Sequence, residues 1–346
     1  MKRVRVAMLV LAALVLAPQV ALAQAQAPPA PPKPPKPPKP PEAWHQKAKD
    51  SEKGPERTER IERTFKVGDG AMLVLSNVSG DIAVSAAPGA EIRVEAVKRT
   101  RVADEAEAKR QLEATRVEFS EWSGRVEVRA EPRGHWNRVA VSYTVTVPPT
   151  TRLEVRSVSG DVTLGAVKGE VQAETVSGTV NASGLGARAM LKAVSGDINL
   201  SQVEQADELR IESVSGDVLA KTFKATNVDA GSVSGNVRLL GGSCTRALVR
   251  SVSGDIELDG GVIKGGRYTL KTHSGDVRLF LDGKVGFELE ADTFSGNIKT
   301  DLPLTMTGDV QEGQGGRRRN VRGTFGDGSA QIDASSFSGN VVITKR

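Results

Sequence analysis

The chain has 346 residues, of which 38% are hydrophobic, 26% charged and only 4% aromatic, so it has enough apolar side chains for a packed core. Its one cysteine, Cys244, excludes an intramolecular disulfide framework and a cysteine-based zinc site. Six of the 47 basic residues lie near the N-terminus, and the other 41 are balanced by 42 acidic residues, so the net charge of +5 does not indicate a nucleic-acid partner. The six are Lys2, Arg3, Arg5, Lys33, Lys36 and Lys39.

Residues 1–23 have the three-part layout of a secretory signal peptide. A basic start is followed by the apolar run Val6–Ala17, and Ala21 and Ala23 supply the small residues of a cleavage site. We expect export to the periplasm or the cell surface, with a mature chain that begins at Gln24. The alternative is an uncleaved anchor, although the run is shorter than the roughly 20 residues that span a bilayer. No later segment is apolar enough to predict a transmembrane span.

Residues 24–60 are predicted to be a linker. The tract Pro28–Pro41 is almost entirely proline with a lysine at every third position, a composition that favours polyproline II. At about 3.1 Å per residue, it would reach roughly 43 Å. One interpretation is a spacer along an anionic envelope polymer, and the other is a solubilising tether.

Residues 61–150 differ in pattern from the repeats that follow them. They are predicted to form an N-terminal cap together with the first rung of a repeat domain. Strand-like alternation occurs in Phe65–Val97, Val117–Ala130 and Val139–Val147. Between them, acidic residues followed by basic ones predict one short helix at about 103–115. Such a cap would cover strand edges that otherwise favour aggregation.

Residues 151–346 are dominated by copies of Ser-Val-Ser-Gly-Asp-Val. From Gly160 to Gly296 the spacings of the corner glycine are 18, 18, 20, 19, 19, 21 and 21. A period near 20 sustained over eight copies is typical of a solenoid. The sequence therefore predicts an all-β protein, a parallel β-solenoid resembling a single-stranded β-helix.

The apolar pattern within one copy predicts a corner. Leu153 and Val155 are apolar at odd positions, whereas Val158, Val162 and Leu164 are apolar at even ones, which predicts a bend near residues 157–161 and a looser return over 165–169. Glycine allows the sharp turn, and the following Asp or Asn is expected to bond its own backbone. The predicted turn residues are Gly160, Asp161, Gly178, Gly196, Asp197, Gly216, Asp217, Gly235, Asn236, Gly254, Asp255, Gly275, Asp276, Gly296, Asn297, Gly339 and Asn340.

The strand Val141–Val147 before Pro148, then the run Leu153–Val162 and its copies, resemble the bacterial putative-adhesin β-solenoid family, a domain of unknown function. The resemblance covers about residues 61–346. It implies a β-solenoid fold and an exported location, and it supplies no catalytic residues to carry over. The proline-lysine linker and an arginine-rich late segment depart from the plainest members of this family.

The repeated Asp position is the first candidate for a metal site. Five stacked carboxylates could bind calcium, but Thr179, Asn236, Asn297 and Asn340 take the same position in other copies. This mixture favours a hydrogen-bonding turn, with calcium as the alternative, and we expect no cofactor.

Catalytic patterns are weak. The sequence shows no nucleophile motif beside a histidine and no aromatic platform along the repeats. The histidines and tryptophans are scattered: His45, His135, His273, Trp44, Trp122 and Trp136. We therefore expect a protein that is not an enzyme, with a carbohydrate-active enzyme as a less favoured alternative.

The last insertion, residues 305–323, is predicted to be a mobile loop. It contains Arg317, Arg318, Arg319 and Arg322, which form a candidate anion-binding loop for phosphate or carboxylate groups. The other interpretation is a solvated loop whose charge aids solubility.

These observations predict an exported, non-enzymatic interaction module, an adhesin that binds an envelope polymer or surface ligand. The alternative is a periplasmic structural or sensory scaffold that binds a protein partner.

Overall fold

A computed structural model describes residues 54–132, 139–306, 311–312 and 319–346. The predicted signal peptide with Ala21 and Ala23, and the proline-lysine tract, lie outside the described residues. So do Trp44, His45, His135, Trp136, Arg317 and Arg318. The described part of the chain is built of β-strands with one short helix, and this confirms the predicted all-β solenoid class.

The N-terminal region contains seven strands and the helix α1. Their bounds are β1 (Glu56–Lys66), β2 (Met72–Ser79), β3 (Ile82–Ala86), β4 (Glu91–Arg101), α1 (Glu105–Ala114), β5 (Thr115–Trp122), β6 (Arg125–Pro132) and β7 (Ala140–Val147).

The helix begins where the Asp104 carboxylate accepts a bond from the Ala106 N–H at 3.0 Å. It buries Ala108 and Leu112, and the ammonium of the buried Lys98 donates to the Leu112 carbonyl at 3.1 Å. A cation at the C-terminal carbonyls complements the helix dipole, so Lys98 fixes the helix on the strands.

The repeats form strands of two lengths, because in some rungs the return is itself extended. The bounds are β8 (Arg152–Ser159), β9 (Val162–Gly165), β10 (Val171–Ser177), β11 (Val180–Ser183), β12 (Ala187–Ser195), β13 (Ile198–Ser215), β14 (Val218–Ser234), β15 (Val237–Ser253), β16 (Ile256–Gly261), β17 (Arg267–Ser274) and β18 (Val277–Leu281).

The C-terminal strands are β19 (Phe287–Ser295), β20 (Ile298–Thr300), β21 (Thr305–Met306), β22 (Gln311–Glu312), β23 (Arg319–Phe325), β24 (Ala330–Ser338) and β25 (Val341–Lys345).

Each rung has a first side that ends at the corner Ser-Gly and a second side that begins after it. On the first side, β2, β8, β10, β12 and the later halves of β13, β14 and β15 stack in parallel and in register, followed by β17. On the second side, β3, β9, β11 and the early segments of β13 to β15 do the same. At the N-terminal end, β6 extends the first side and β7 the second.

The rungs do not follow chain order at the C-terminal end. Strand β24 lies between β17 and β19, and β25 lies between β18 and β20. The final segment of the chain is therefore an internal rung. Parallel stacking requires only a matching side-chain pattern, and β24 has this pattern. Strand β23 lacks it and ends the parallel stack by pairing antiparallel with β19; β21 and β22 then pair antiparallel with β23.

The core is a column of small aliphatic side chains, and the corner changes which positions point inward. Leu153, Val155 and Ser157 are buried, and burial resumes at Val162. Val158, which shares the even apolar phase of Val162 and Leu164 in the sequence, does not share their burial, since it is 49% exposed. Alternation continues to Ser157, and the change of phase falls between residues 158 and 161.

Candidate interaction surface

The corners are held by direct stacking of glycines. A Cβ atom added to Gly216 would lie 2.1 Å from the carbonyl oxygen of Gly196, and the same close approach recurs at the other corners. At six of these corners the glycine carbonyl accepts a hydrogen bond from the inward Ser or Thr of the adjacent rung. Ser232 Oγ, for example, donates to the Gly216 carbonyl at 2.9 Å. The buried hydroxyl thus satisfies a polar group at the corner.

The Asp or Asn after each glycine forms a second ladder. Its side chain accepts a hydrogen bond from the backbone N–H of the same position in the next rung, as Asp217 Oδ1 does from Asn236 at 2.8 Å. The sequence predicted a bond to the residue's own backbone, whereas the observed bond runs between rungs. The same bond joins Asp161 to Thr179, Asp197 to Asp217, Asn236 to Asp255, Asp255 to Asp276, Asp276 to Asn340 and Asn340 to Asn297.

These carboxylates have other partners too. Arg278 contacts Asp255 and Asp276 at 2.8 Å each, and Arg238 lies 3.4 Å from Asp217. The hydrogen bond to Asp255 is the main cause that raises the pKa of Arg278 above its ordinary value. No group of three or more His, Cys, Asp or Glu side chains in the described part of the chain is placed to hold a metal ion.

The residue immediately before the corner Ser-Gly of each copy points outward, and these residues form what we call the outer ladder. Its members stack at the rung spacing of about 4.8 Å. Apart from His273, they are 40–49% exposed. In spatial order the outer ladder is Val78, Val158, Val176, Val194, Val214, Val233, Val252, His273, Phe337 and Phe294.

The C-terminal end of the outer ladder is aromatic. The rings of His273 and Phe337 stack with centroids 4.8 Å apart, and those of Phe337 and Phe294 do the same. His273 thus occupies a position that valine fills elsewhere, and its ring continues an apolar surface.

A second outward row runs beside the outer ladder, two positions earlier in each strand. We call it the charged row: Arg156, Glu174, Lys192, Glu212, Gly231 and Arg250. The charges alternate until Gly231, which has no side chain. A groove of about 900 Å³ lies along these two rows, and Ser76, Val78 and Arg129 line its N-terminal end.

Of the four arginines of the candidate anion-binding loop, Arg319 and Arg322 lie in the described part of the chain, and they contact different partners. Arg319 begins strand β23, and its guanidinium donates to the Gly296 carbonyl at 2.8 Å and to the Asn297 side chain. It thereby occupies the position that a further rung would take on both ladders. Arg322 donates from Nε to Glu290 at 3.1 Å. The expectation of a loop over residues 305–323 is wrong for Arg319 and Arg322, which lie in a strand.

Cys244 and Tyr268 are buried together, since the Tyr268 hydroxyl donates to the Cys244 carbonyl at 2.7 Å. Burial raises the pKa of the Cys244 thiol to about 12, so the thiol is protonated at neutral pH. This agrees with a core residue and gives no nucleophile.

The outer ladder was not predicted from the sequence, although the alternation of apolar residues before the corner indicates it. Extending the alternation of Leu153 and Val155 by one residue makes Ser157 inward and Val158 outward. An outward valine repeated in seven rungs then stands out, because a solvated turn does not require it.

None of the helices in the described part of the chain is long and apolar enough to cross a membrane. Among curated proteins, no sequence matches this chain.

Several solved structures are similar to the chain at low identity. A putative adhesin from Parabacteroides distasonis is 10% identical with a TM-score of 0.44, covering 85% of this chain and 98% of its own. A putative adhesin from Bacteroides fragilis is 12% identical with a TM-score of 0.40, covering 83% and 97%. A putative lipid binding protein from Parabacteroides distasonis is 12% identical with a TM-score of 0.35, covering 83% and 96%.

The model of one protein family, Toastrack DUF4097, matches residues 71–344. The match includes the first rung, the cap strands β5 to β7 and every later repeat. The chain therefore belongs to the Toastrack family.

Proposed function

We propose that this protein is an exported, non-enzymatic interaction module of the envelope or cell surface, an adhesin whose contact surface is the outer ladder with its groove. The observation that carries the proposal is the run of seven consecutive half-exposed valines along the outer ladder, from Val78 to Val252. Monomeric proteins rarely expose a long apolar strip unless it forms a contact.

The energy available from this surface is sufficient for binding. Fully burying a valine contributes about 1.5–3 kcal/mol, so covering the exposed half contributes about 1 kcal/mol for each. Valines 158, 176, 194, 214 and 233 are each about half exposed and follow one another without a gap. An elongated ligand that lies along them gains several kcal/mol from stacked contacts of one kind.

The test compares binding of the purified full chain to whole bacterial cells and to isolated envelope. The variant carries Val176→Thr, Val194→Thr and Val214→Thr, which keep the β-branched shape but replace one methyl group each. At about 0.8 kcal/mol per methyl, binding should weaken by about 2 kcal/mol, or roughly 30-fold.

The matched control is Trp122→Ser, since Trp122 is 79% exposed but lies in the β5–β6 hairpin away from the outer ladder. Equal binding by the ladder variant, or equal loss in the control, would overturn the proposal. Export is tested separately by protease digestion of intact and lysed cells, and retention in the cytoplasm would contradict it.

A further inference from the structure

The charged row gives the groove a period. Glu174 and Glu212 lie two rungs apart on the same row, with Lys192 between them. At about 4.8 Å per rung, the two carboxylates recur at about 9.6 Å. Their side chains are 37% and 31% exposed, so both are accessible from the groove.

These acids are only loosely bound to the basic residues of their own row. Glu174 lies 3.8 Å from Arg156, and Glu212 lies 3.9 Å from Lys192. Glu212 also contacts Arg210 at 2.7 Å, and Glu174 accepts a bond from Gln172 at 3.2 Å. Long pairs between exposed groups contribute little, and each carboxylate has further acceptor sites for an incoming cation.

A polyproline II helix matches this period. It has three residues per turn and rises about 3.1 Å per residue, so a side chain at every third position recurs at about 9.3 Å. Over one interval the mismatch with two rungs is about 0.3 Å, well within the reach of a lysine side chain. The other extended occupants do not match. Every second residue of a β-strand recurs at about 6.8 Å, and seven residues of an α-helix span about 10.5 Å.

The basic and proline edges of such a helix also match the chemistry of the charged row and the outer ladder. A polyproline II helix with a cation at every third residue has one basic edge and two proline edges. With the basic edge over Glu174 and Glu212, a proline edge lies against Val176, Val194 and Val214. A third cation two rungs before Glu174 falls at the uncharged Ser76, whereas one placed two rungs after Glu212 would meet Arg250. The charges thus favour one register.

The chain itself contains such a segment. Residues 28–41 carry Lys33, Lys36 and Lys39 in a run of prolines, and the proposed function assigns them no role. We propose that the groove binds residues 28–41 of a second copy of this protein in polyproline II conformation. This inference rests on the proposed function, because it names the partner of the same groove.

The first experiment measures self-association of the full chain by sedimentation velocity over a range of concentrations. We expect association that is at least ten-fold weaker in the variant Lys33→Ser, Lys36→Ser, Lys39→Ser and in the variant Glu174→Gln, Glu212→Gln. Glu204→Gln with Glu257→Gln is the matched control, since these acids lie outside the groove, and it should associate like the wild-type chain. Monomers at every concentration would overturn the proposal.

The second experiment uses the Lys→Ser full chain as receptor and a fluorescent synthetic peptide of residues 28–41 as probe. Binding should weaken several-fold at high salt, because exposed ion pairs are screened. A control peptide has the same composition with the three lysines adjacent, and it should bind at least ten-fold more weakly. Equal binding of the two peptides would refute the period match.

A cross-linking measurement addresses the source of the segment. Lys36 cross-linked to Glu174 or Glu212 should join two differently labelled copies, and cross-links confined to single copies would overturn the second-copy assignment. The two proposals fail separately. If the valine variant loses cell binding but the peptide does not bind, the interaction surface stands and its occupant is another molecule. If the peptide binds but cell binding is unchanged, the adhesin proposal fails.

Discussion

Replacement of Gly216 by alanine should be severely destabilising, although it adds one methyl group. The new Cβ atom would lie 2.1 Å from the Gly196 carbonyl oxygen and 2.6 Å from its carbon, and real Cβ contacts do not come closer than about 3 Å. The neighbouring atoms are backbone, so the two rungs must separate by nearly 1 Å. Three hydrogen bonds join these two rungs at the corner: the Gly196 N–H donates to the Ser215 carbonyl at 3.2 Å, the Asp217 N–H to Asp197 Oδ1 at 2.8 Å, and the Ser213 hydroxyl to the Gly196 carbonyl at 3.1 Å.

Each of these bonds contributes about 1 kcal/mol, and an unsatisfied buried partner adds to the cost. We therefore expect the free energy of unfolding to fall by about 3–5 kcal/mol, within the range of strongly destabilising single changes. Urea unfolding followed by circular dichroism measures this fall, with the slope of the transition checked for two-state behaviour.

The matched control is Gly68→Ala, because no atom lies within 4 Å of a Cβ placed there. That variant should differ from the wild-type chain by less than about 1 kcal/mol. If Gly216→Ala unfolds at the same urea concentration as Gly68→Ala, then close glycine stacking does not determine the corner, and the reasoning is wrong.

Three further changes have definite expected outcomes. Thr222 is exposed and has a φ of 51°, a conformation in which a β-branched residue is strained. In urea titrations, Thr222→Gly should therefore raise the free energy of unfolding by about 0.5–1 kcal/mol. A lower free energy of unfolding would contradict this. Arg319→Ala should lower the free energy of unfolding by about 1–3 kcal/mol, because it removes the hydrogen-bond donor to the Gly296 carbonyl. Arg322→Ala should lower it by at most about 1 kcal/mol, because the ion pair of Arg322 with Glu290 is exposed. Equal effects of the two changes would argue against a role of Arg319 in covering the end of the stacked corners. Burial raises the pKa values of Cys244 and Tyr268 to about 12. Both groups therefore stabilise the fold fully below their ordinary pKa values, and this contribution is lost as the pH rises toward 12. In thermal melts, the melting temperature of Cys244→Ala should fall less at alkaline pH than that of the wild-type chain, and an equal fall would exclude the thiol as a cause.

The repeat made the main part of the fold predictable. A glycine recurring every 18 to 21 residues between apolar runs requires stacked rungs, and the change of apolar phase locates the corner between Ser157 and Val162. The order of the last rungs was not predictable in the same way. Strands β19 and β24 carry the same inward pattern, so pattern alone does not decide which one stacks on β17. In the structure β19 pairs with β24 on one edge and, on the other, antiparallel with β23, which has no repeat signature.

The site was harder to predict than the fold, for a physical reason. Apolar residues near a bend fit either phase of the alternation, and the even phase that Val158 shares with Val162 gives no sign that Val158 is exposed. Arg319 was difficult to place for a different reason. The arginine-rich composition of its segment suggested an anion-binding loop, but the Gly296 carbonyl and the Asn297 side-chain oxygen at the end of the stack accept hydrogen bonds from the Arg319 guanidinium.

The six positions of the repeat have separable roles, and this separation supports the choice of the outer ladder as the functional surface. In Ser232-Val233-Ser234-Gly235-Asn236-Val237, the first serine bonds a corner carbonyl, the glycine allows close stacking, and the asparagine links two rungs. The last valine fills the core. Val233 has none of these roles, since it is 45% exposed and any residue of high strand propensity would fit there. If its role were structural alone, polar replacements such as threonine would be tolerated along the whole ladder without loss of binding. The position instead holds valine in seven rungs and phenylalanine in two, with His273 the one polar member, which is the composition expected of a surface that a ligand covers.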